Sequence, residues 1–419
     1  MRRSARADPG TWALAGSTAK RVLILVENLS VPFDRRVRQE ARALVEAGYR
    51  VEVICPRGTD RDTEPYAEFE GVKIHRYPLD AASEGPAGYV REYATALYHS
   101  LRLALRLGRF DVVHACNPPD LLFLVALPLK LRGAKFVFDH HDLVPELYLS
   151  RFARGKDRLY RGVAFFERLT FRLADIVIAT NESYRRVALT RGGKPPERVF
   201  VVRSGPALDR FEPVPPQPAL KEGKPHLLVY LGVMGPQDGV DYALRSLARL
   251  RDVVGRSDWH ATFVGGGDAY EPMVALTREL GLDAHVTFTG LLSTPEFLPY
   301  LSTADVCLAP DPSSPLNDVS TMNKILEYMA MSRPMVSFDL PEGRVSAGDA
   351  ALYATPNDET EFARRIAELL DDPERRARMG QLGRRRVESS LSWDHSRRAL
   401  LEAYGSLWSE EEKAARSSA

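Results

Sequence analysis

The chain has 419 residues, of which 44% are hydrophobic and 27% are charged, and its formal net charge at pH 7 is +1. This length allows two ordinary α/β domains, and the composition is that of a globular protein. Because no apolar run reaches the roughly 18 residues that a membrane-spanning helix requires, we expect no transmembrane segment.

The N-terminus and the cysteines indicate the cellular compartment. Residues 1–20 contain three arginines but lack the apolar core of a signal peptide, and we interpret them as a disordered tail. The three cysteines, Cys55, Cys116 and Cys307, lie far apart and do not have the spacing of metal ligands. A small, odd number of cysteines is typical of a reducing compartment. We therefore expect a cytoplasmic protein that uses no metal or other cofactor.

Alternating strand and helix patterns fill a first domain, which we place at residues 21–210. The apolar run "RVLILVEN" (21–28) predicts a buried parallel strand, and helical spacing follows it as far as Gly48. Further strand patterns follow up to residue 205: "RVEVICP", "GVKIHRYP", "DVVHACN", "KFVFDHHD", "DIVIATN" and "RVFVVRSG". Strands that alternate with helices in this way are typical of a doubly wound parallel sheet.

A second domain of the same kind follows a short linker. Residues 211–225 contain five prolines and no periodicity, which predicts the linker. The strand patterns resume over residues 226–390: "HLLVYLG", "HATFVGGG", "HVTFTG", "DVCLAP", "PMVSFD" and "ALYAT". Residues 391–410 then form a last amphipathic helix. The sequence therefore predicts two Rossmann-like αβα domains that face each other across a cleft, where the carboxyl ends of parallel strands bind ligands.

The two halves of the chain carry opposite charge. Residues 1–210 hold 35 Lys and Arg against 25 Asp and Glu, a balance of +10, whereas residues 211–419 hold 22 against 31, a balance of −9. This asymmetry is either drift in composition or a sign that the basic half faces an anionic lipid surface. Two helical stretches, 89–110 and 151–174, combine arginines with aromatic and leucine residues. They are either core-facing helices with a solvated basic back or helices that lie on an anionic membrane.

A polar loop and a helix start lie close together in "NDVSTMNKILEYMA" (317–330). Ser320 is a candidate N-cap, with residues 321–323 as the first helical turn. Free N–H groups and the dipole of a helix start attract an anion, and Lys324 adds a positive charge there. Glu327 lies one turn further on the same face, where its carboxylate can accept hydrogen bonds from two hydroxyl groups.

Two interpretations of this stretch remain open on these residues alone. An anion site followed by a carboxylate that accepts two hydroxyls fits a nucleoside diphosphate, with the phosphates at the helix start and the ribose at Glu327. Alternatively, Lys324 and Glu327 form an ordinary i,i+3 salt bridge on the surface of a helix.

Several segments, taken in order, resemble the family 4 retaining glycosyltransferases, which have the two-domain GT-B fold. The segments are "FDHHDLVPELY", "IVIATNESYRRVALTRGGKPPERVFVVRSGP", "YLGVMGPQDGVDYAL", "FVGGGDAYEPMVAL", "VTFTGLLSTPEFLPYLSTADVCLAP" and "STMNKILEYMAMSRPMVSFDLPEG". The resemblance runs from about residue 21 to residue 408 and is nearest to the branch that makes O-antigen, capsule and exopolysaccharide. It implies an acceptor-binding first domain, a nucleotide-sugar-binding second domain and a C-terminal helix that crosses back to the first domain.

In the second domain the resemblance implies a set of donor-binding residues. Glu327 would hold the donor ribose, while Lys324 and the backbone amides of Ser320 and Thr321 would contact the pyrophosphate. At Gly232 the backbone would come close to the phosphates. The other residues that the resemblance assigns to the donor are Thr289 and Gly290 near the nucleobase, Asn317 and Asp318 near the sugar, and Arg203 as a possible phosphate contact.

In the first domain the resemblance implies contacts to the transferred sugar and the acceptor. His141 of "HHD" matches a family histidine near the sugar, and we count it with Lys324 and Glu327 as the catalytic residues. Asn117 and Asp120 lie in "HACNPPD", on a loop that we expect to face the same cleft. Because adjacent strand residues point to opposite faces, we expect one of the two neighbouring histidines in the cleft and the other in the core.

This sequence departs from the family pattern at two places. The family often has an arginine and a lysine after the glycine that matches Gly232, where this chain has Val233 and Asp238. The first glutamate of the family, eight positions before Glu327, falls at Val319. The donor phosphates would therefore depend on Lys324 and backbone amides, and the sugar on residues 317–321.

The resemblance implies transfer of a sugar from a nucleotide-diphosphate donor, with UDP the commonest nucleotide, to a polyprenyl-linked or glycan acceptor, with retention. It implies peripheral contact with the inner face of the plasma membrane, and we expect no nucleic-acid partner. Two alternatives remain open. One is a sugar-nucleotide epimerase on the same fold, and the other is a non-catalytic protein that binds nucleotide sugar, which the missing Arg–Lys pair favours.

Overall fold

The computed structural model describes residues 19–58, 61–79, 86–152 and 155–408. The predicted disordered tail, residues 1–20, falls almost entirely outside the described residues, as do the last two residues of the predicted C-terminal segment. Within the described part of the chain, no helix combines the length and the apolar character needed to cross a lipid bilayer.

The first sheet has the strand order β3-β4-β2-β1-β5-β6-β7-β8 over the described residues, and all pairs are parallel except β3 with β4. The strands are β1 (Arg21–Leu25), β2 (Arg50–Pro56), β3 (Tyr66–Phe69), β4 (Val72–Tyr77), β5 (Val112–Cys116), β6 (Lys135–His140), β7 (Ile176–Ala179) and β8 (Val199–Val201). Every predicted strand is present. The sequence did not predict β3, because this edge strand is largely exposed and lacks an apolar run.

Helices cover both faces of the first sheet. They are α1 (Arg35–Glu46), α2 (Pro86–Leu107), α3 (Phe123–Lys130), α4 (Val144–Phe152), α5 (Arg158–Leu173) and α6 (Glu182–Thr190), with a 3₁₀ turn at Pro196–Arg198. Alternation along β1 builds two cores, since Leu23 and Leu25 enter one cluster and Val22 and Ile24 enter the other. Full burial of each such aliphatic side chain contributes about 1.5–3 kcal/mol, which is why the strands read as unbroken apolar runs.

The second sheet is parallel, with the order β11-β10-β9-β12-β13-β14 over the described residues. Its strands are β9 (His226–Leu231), β10 (Trp259–Val264), β11 (Val286–Gly290), β12 (Val306–Ala309), β13 (Met335–Phe338) and β14 (Ala351–Ala354). Its helices are α7 (Val240–Asp252), α8 (Tyr270–Glu279), α9 (Thr294–Thr303), α10 (Asn323–Ala330), α11 (Pro341–Ala347), α12 (Glu359–Asp371) and α13 (Pro373–Arg386). Short 3₁₀ turns lie at Pro218–Lys221, Asn317–Val319 and Gly348–Ala350, and a π turn lies at Val387–Leu391.

The segment predicted as a linker, residues 211–225, packs against the second sheet's helices. The backbone N–H of Val214 donates to Ser302 at 3.0 Å, and that of Gln217 donates to Thr303 at 2.8 Å. These bonds fix the segment on the end of α9. The predicted boundaries at residues 210 and 225 stay predictions, although the strands of the two sheets fall on either side of them.

The last helix, α14 (Trp393–Gly405), crosses back to the first domain, as expected. Trp393 and Tyr404 are buried in the core cluster that covers one face of the first sheet. The Tyr404 hydroxyl lies 2.8 Å from Nδ1 of the fully buried His114 on β5. The helix follows α13 of the second domain. Its docking therefore gives the two domains a second connection, in addition to the segment 211–225.

Candidate active site

The carboxyl ends of both parallel sheets meet at one cleft between the domains. From the first sheet, α1 begins just after β1, and from the second sheet, α10 begins after β12. The Arg35 guanidinium at the start of α1 forms an ion pair with the Glu327 carboxylate on α10. This contact joins the two domains across the cleft and places Glu327, which is only 6% exposed, at its floor.

Lys324 forms a buried ion pair inside the second domain. Its Nζ donates to Oδ1 of Asp311 at 2.6 Å, and Asp238 lies 3.9 Å away. The ammonium also lies 5.0 Å from the centre of the Tyr230 ring. Burial lowers the pKa of Lys324, but Asp311, Tyr230 and Asp238 together more than offset burial and raise the pKa above its ordinary value. The lysine is therefore a fixed positive charge, already neutralised by a carboxylate that follows β12.

Helix α10 begins later than the sequence predicted. Its first residue is Asn323 and its N-cap is Met322, so the prediction that Ser320 is the N-cap was wrong. Among the described residues, the backbone N–H groups of Thr321, Met322 and Asn323 have no acceptor. These N–H groups and the positive end of the helix dipole can bind an anion next to Lys324.

The physical reason for the later start is the docking of the preceding loop against the first domain. Val319 packs against the first-domain core cluster, and Asn181 donates to its carbonyl oxygen at 2.9 Å. The Ser320 hydroxyl donates to the carbonyl oxygen of Leu316 at 2.7 Å and lies 3.0 Å from the Tyr184 hydroxyl. The hydroxyl is therefore used by the domain interface and cannot cap the helix.

The other predicted residues of this loop also have protein partners. The buried Asn317 amide donates to the carbonyl oxygens of Gln237 and Pro312, at 2.8 and 2.9 Å. The Thr321 hydroxyl accepts a hydrogen bond from Asn181 at 3.0 Å. Oδ2 of Asp318 accepts a hydrogen bond from the Ser313 hydroxyl, while its Oδ1 is buried without a partner among the described residues. Asn317 and Asp318 thus bond within the second domain and Thr321 bonds to the first, while sugar contacts from this loop stay a prediction.

Glycines let the backbone come close to the site at the ends of β9, β10 and β11. A Cβ on Gly265 would lie 1.8 Å from the carbonyl oxygen of Gly232, and Gly265 has a positive φ of 136°, so both conditions require glycine. A Cβ on Gly232 would lie 3.2 Å from Cε of Lys324. Thr289 and Gly290 are the last two residues of β11. Gly290 lies next to Gly265, whose N–H donates to the Gly290 carbonyl oxygen at 3.0 Å.

The two positions that depart from the family pattern have different surroundings. Val233 is exposed, whereas Oδ2 of Asp238 accepts a hydrogen bond from the Gly235 N–H at 2.8 Å and shapes the loop. Arg203 follows β8 in the first domain. Burial lowers the pKa of Arg203, and its nearest carboxylates include Glu342 of α11. Its contact with the donor phosphates stays a prediction.

His141 is the first-domain histidine predicted to face the cleft, and its side chain is 15% exposed. Nδ1 of His141 lies 3.2 Å from the buried Asp139 carboxylate, which leaves Nε2 for a ligand. Burial lowers the pKa of His141, but the charge and hydrogen bond of Asp139, together with the charge of Asp142, more than offset burial and raise the pKa above its ordinary value. His140 is fully buried against Phe171 and Tyr184, so one of the two histidines lies in the core, and the cleft position of His141 stays a prediction.

Behind His141 lies a buried polar cluster formed by Arg36, Glu40, His114, Cys116 and Asp139. The Arg36 guanidinium donates to both oxygens of Asp139, at 2.6 and 2.7 Å. Burial opposes ionisation of Asp139, but Arg36 holds its pKa well below the usual range. Burial raises the pKa of Glu40 to about 7. Glu40, His114, Cys116 and Asp139 lie close enough together to hold a metal ion. The Arg36 guanidinium, however, already pairs with the carboxylates of Glu40 and Asp139.

The acceptor-side residues Asn117 and Asp120 lie beneath the loop that carries His141. Oδ1 of Asn117 accepts hydrogen bonds from the backbone N–H groups of His141 and Asp142, at 2.9 and 3.0 Å. Its Nδ2 donates to Asp120 at 2.9 Å, and burial raises the pKa of Asp120 well above its usual value. Both side chains are buried, so they position the loop, and direct acceptor contact stays a prediction.

Sequence reasoning missed three charged residues that pair with predicted site residues, Arg35, Asp139 and Asp311, and one buried acidic residue of the first domain, Glu27. Glu27 follows β1 and is 3% exposed, and burial raises its pKa to about 8. All except Arg35 come at or just after the carboxyl end of a parallel strand, which is where site residues collect. That position was the available signal. The sequence signal for Arg35 is its position in the first turn of α1, where a helix normally prefers acidic residues and this helix has arginines.

This geometry defines a class of protein. Two facing doubly wound domains are the GT-B architecture, and a helix start, a buried lysine and a carboxylate one turn further lie at the cleft between them. Comparison with known families agrees. Residues 225–372 match the family "Glycosyl transferases group 1" and residues 34–205 match the "Glycosyl transferase 4-like domain". Together these matches cover most of the chain, which belongs to this group of glycosyltransferases.

Individual relatives are distant. The chain is 27% identical over 386 residues to an MMP alpha-(1->4)-mannosyltransferase of Mycolicibacterium hassiacum, which covers 85% of this chain and 90% of the relative. Among solved structures, Anabaena Alr3699/HepE in complex with UDP-glucose superposes with a TM-score of 0.70 at 15% identity, covering 92% of this chain and 100% of that chain. WaaG, a glycosyltransferase involved in lipopolysaccharide biosynthesis, superposes with a TM-score of 0.69 at 18% identity and coverages of 92% and 100%. These structural similarities confirm the GT-B fold.

Proposed function

We propose that the protein transfers a hexosyl or N-acetylhexosaminyl residue from a UDP-sugar to a lipid-linked or glycan acceptor, with retention of anomeric configuration, in the synthesis of a cell-surface polysaccharide. The observation that carries the proposal is the start of α10, where Lys324 and Glu327 lie beside N–H groups that have no acceptor in the described part of the chain. The resemblance to the polysaccharide-making branch and the UDP-glucose complex of a structural relative support the choice of donor and pathway.

The proposed chemistry is stabilisation of the departing nucleotide. As the bond between the sugar and the diphosphate breaks, negative charge develops on the phosphate oxygen. Fixed N–H groups, the helix dipole and the Lys324 ammonium stabilise this charge without reorganisation, and we propose that no metal ion is required. His141 orients the sugar through Nε2, while Asp139 holds its other nitrogen. The domain contacts exclude water from the cleft and suppress hydrolysis of the donor.

We further propose that the first domain contacts the inner face of the plasma membrane while it takes its acceptor. Helices α2 and α5 both expose aromatic side chains next to arginines: Tyr98 is 62% exposed and Phe165 is 59% exposed. Arg102 follows Tyr98 by one turn, and Arg168 follows Phe165 by nearly one turn. An exposed face that combines aromatic and basic residues is typical of contact with anionic lipid.

The test is product analysis with purified full-length protein and a panel of UDP- and GDP-sugars. Each reaction is run alone and with vesicles that contain a polyprenyl-phosphate-linked sugar, with and without EDTA. We expect one UDP-sugar to transfer its sugar to the lipid acceptor, and we expect EDTA to leave the rate unchanged. NMR of the product should show the same anomeric configuration as in the donor. An altered sugar nucleotide formed without acceptor would instead identify an epimerase. Nucleotide binding without any turnover would identify a non-catalytic protein.

A further inference from the structure

Among the described residues of the second domain, the cation assigned to the donor site is Lys324, and it is already paired with a carboxylate. Lys324 is 2.6 Å from Asp311 and 3.9 Å from Asp238, and Glu327 lies one turn away. The second-domain groups are thus three carboxylates and one ammonium. Their summed formal charge is −2 before a ligand enters. A diphosphate brings further negative charge, and the positions where related enzymes have an arginine and a lysine hold Val233 and Asp238.

The first domain places one guanidinium at this site. Arg35 forms an ion pair with Glu327 across the cleft, yet its side chain remains 47% exposed. A guanidinium has five N–H donors, and the contact with Glu327 occupies only part of them. Lys324 and Glu327 are three positions apart on α10, so their Cβ atoms are about 5–6 Å apart. A guanidinium at Glu327 is therefore within reach of a phosphate held at Lys324.

The position of Arg35 in its own helix also requires an explanation. It is the first residue of α1, where the helix dipole favours acidic side chains, and the first turn of α1 contains none. Its neighbour Arg36 is explained by the buried pair with Asp139. No comparable partner within the first domain is described for Arg35 apart from the adjacent Asp34. Its partner lies on the opposite wall of the cleft.

We propose that Arg35 is the cation that binds the diphosphate of the donor, supplied by the first domain in place of the arginine and lysine that the second domain lacks. This proposal rests on the proposed donor site. When the ribose hydroxyls occupy Glu327, the guanidinium moves from that carboxylate to the phosphate oxygens, which it can bind in a bidentate manner. The bound diphosphate then replaces the Arg35–Glu327 ion pair as the link across the cleft, because its two partners belong to different domains.

The test compares ligands that differ only in phosphate content. UDP, UMP and uridine, or the guanine series if GDP is preferred, are titrated calorimetrically onto wild type, Arg35→Ala, Arg35→Lys and Arg42→Ala. Arg42 is the matched control, since it lies on the same helix and pairs locally with Glu46. We expect Arg35→Ala to weaken UDP binding about 10- to 100-fold, as for loss of charge-assisted hydrogen bonds, while uridine binding is unchanged or slightly tighter. Arg35→Lys retains part of the affinity, and Arg42→Ala retains all of it.

A second comparison separates phosphate binding from an indirect effect through Glu327. In a Glu327→Gln background, Arg35→Ala should still weaken UDP binding; loss of its effect there would overturn the proposal and leave Arg35 as a residue that only orients Glu327. Equal weakening of UDP and uridine, or unchanged UDP binding in Arg35→Ala, would also overturn it. A folded wild type that binds neither UDP nor GDP would refute the donor site itself, which is a distinguishable result.

Discussion

Replacement of Lys324 by methionine should destabilise the protein as well as weaken nucleotide binding. Lys324 is 7% exposed and Asp311 is 2% exposed, so the substitution leaves a carboxylate buried without its counter-ion. Oδ2 of Asp311 already has no partner among the described residues. Removal of one partner from a buried ion pair costs about 3–5 kcal/mol, and methionine keeps the aliphatic packing, so the charge accounts for the loss. We therefore expect the free energy of unfolding to fall by about 3–5 kcal/mol.

Urea unfolding followed by circular dichroism measures this loss, with two further variants as references. The double variant Lys324→Met/Asp311→Leu removes both charges and should recover most of the stability without recovering nucleotide binding. The control Lys221→Met breaks a partly exposed pair with Asp305 at 2.8 Å, and should cost no more than about 1 kcal/mol. If Lys324→Met costs no more than this control, or if the double variant is less stable than the single one, the reasoning from a buried pair is refuted.

Three other predictions concern the first domain, the crossing helix and the second sheet. Asp139→Asn keeps His141 partly buried but removes the charge that raises its pKa, so an NMR titration, assigned with His141→Gln, should show a lower pKa for His141. An unchanged value would contradict the pairing. Because the wild-type pKa is raised, the stability gained from the protonated imidazole is lost as pH rises through that value, and the variant should lack this loss. Tyr404→Phe leaves buried His114 without its partner and should cost about 1–3 kcal/mol in urea unfolding, whereas no loss would contradict docking of the helix. Gly239→Ala should lower the melting temperature, since Gly239 has a φ of 70° and a Cβ there would lie 2.1 Å from a carbonyl oxygen of the neighbouring loop; a stability equal to wild type would contradict this packing.

The fold could be predicted because its main signal is local. Parallel strands buried on both faces read as unbroken apolar runs, and each predicted run became a strand. The edge strand β3 was missed for the same reason, since residues such as Glu68 are exposed. The docking of α14 was expected from the family resemblance, and Trp393 is buried at the start of that helix.

The site could be predicted only in part, because its decisive contacts join distant elements. Lys324 and Glu327 were found from their spacing on one helix, but their partners, Asp311 and Arg35, come from other elements and leave no local pattern. The Ser320 N-cap was wrong because Val319 packs against the other domain, and no local rule anticipates that contact. Contacts between elements that are distant in the sequence could therefore be identified only from the structure.

The central claim is that the start of α10 holds a nucleoside diphosphate. Calorimetric titration of the full-length protein with UDP and GDP tests it most directly, with Glu327→Ala as the site variant and Glu374→Ala, an exposed carboxylate on α13, as the control. We predict that wild type and the control bind UDP, with or without EDTA, and that Glu327→Ala binds it at least about 10-fold more weakly. Failure of the folded wild type to bind either nucleotide, or equal binding by Glu327→Ala, would contradict the account.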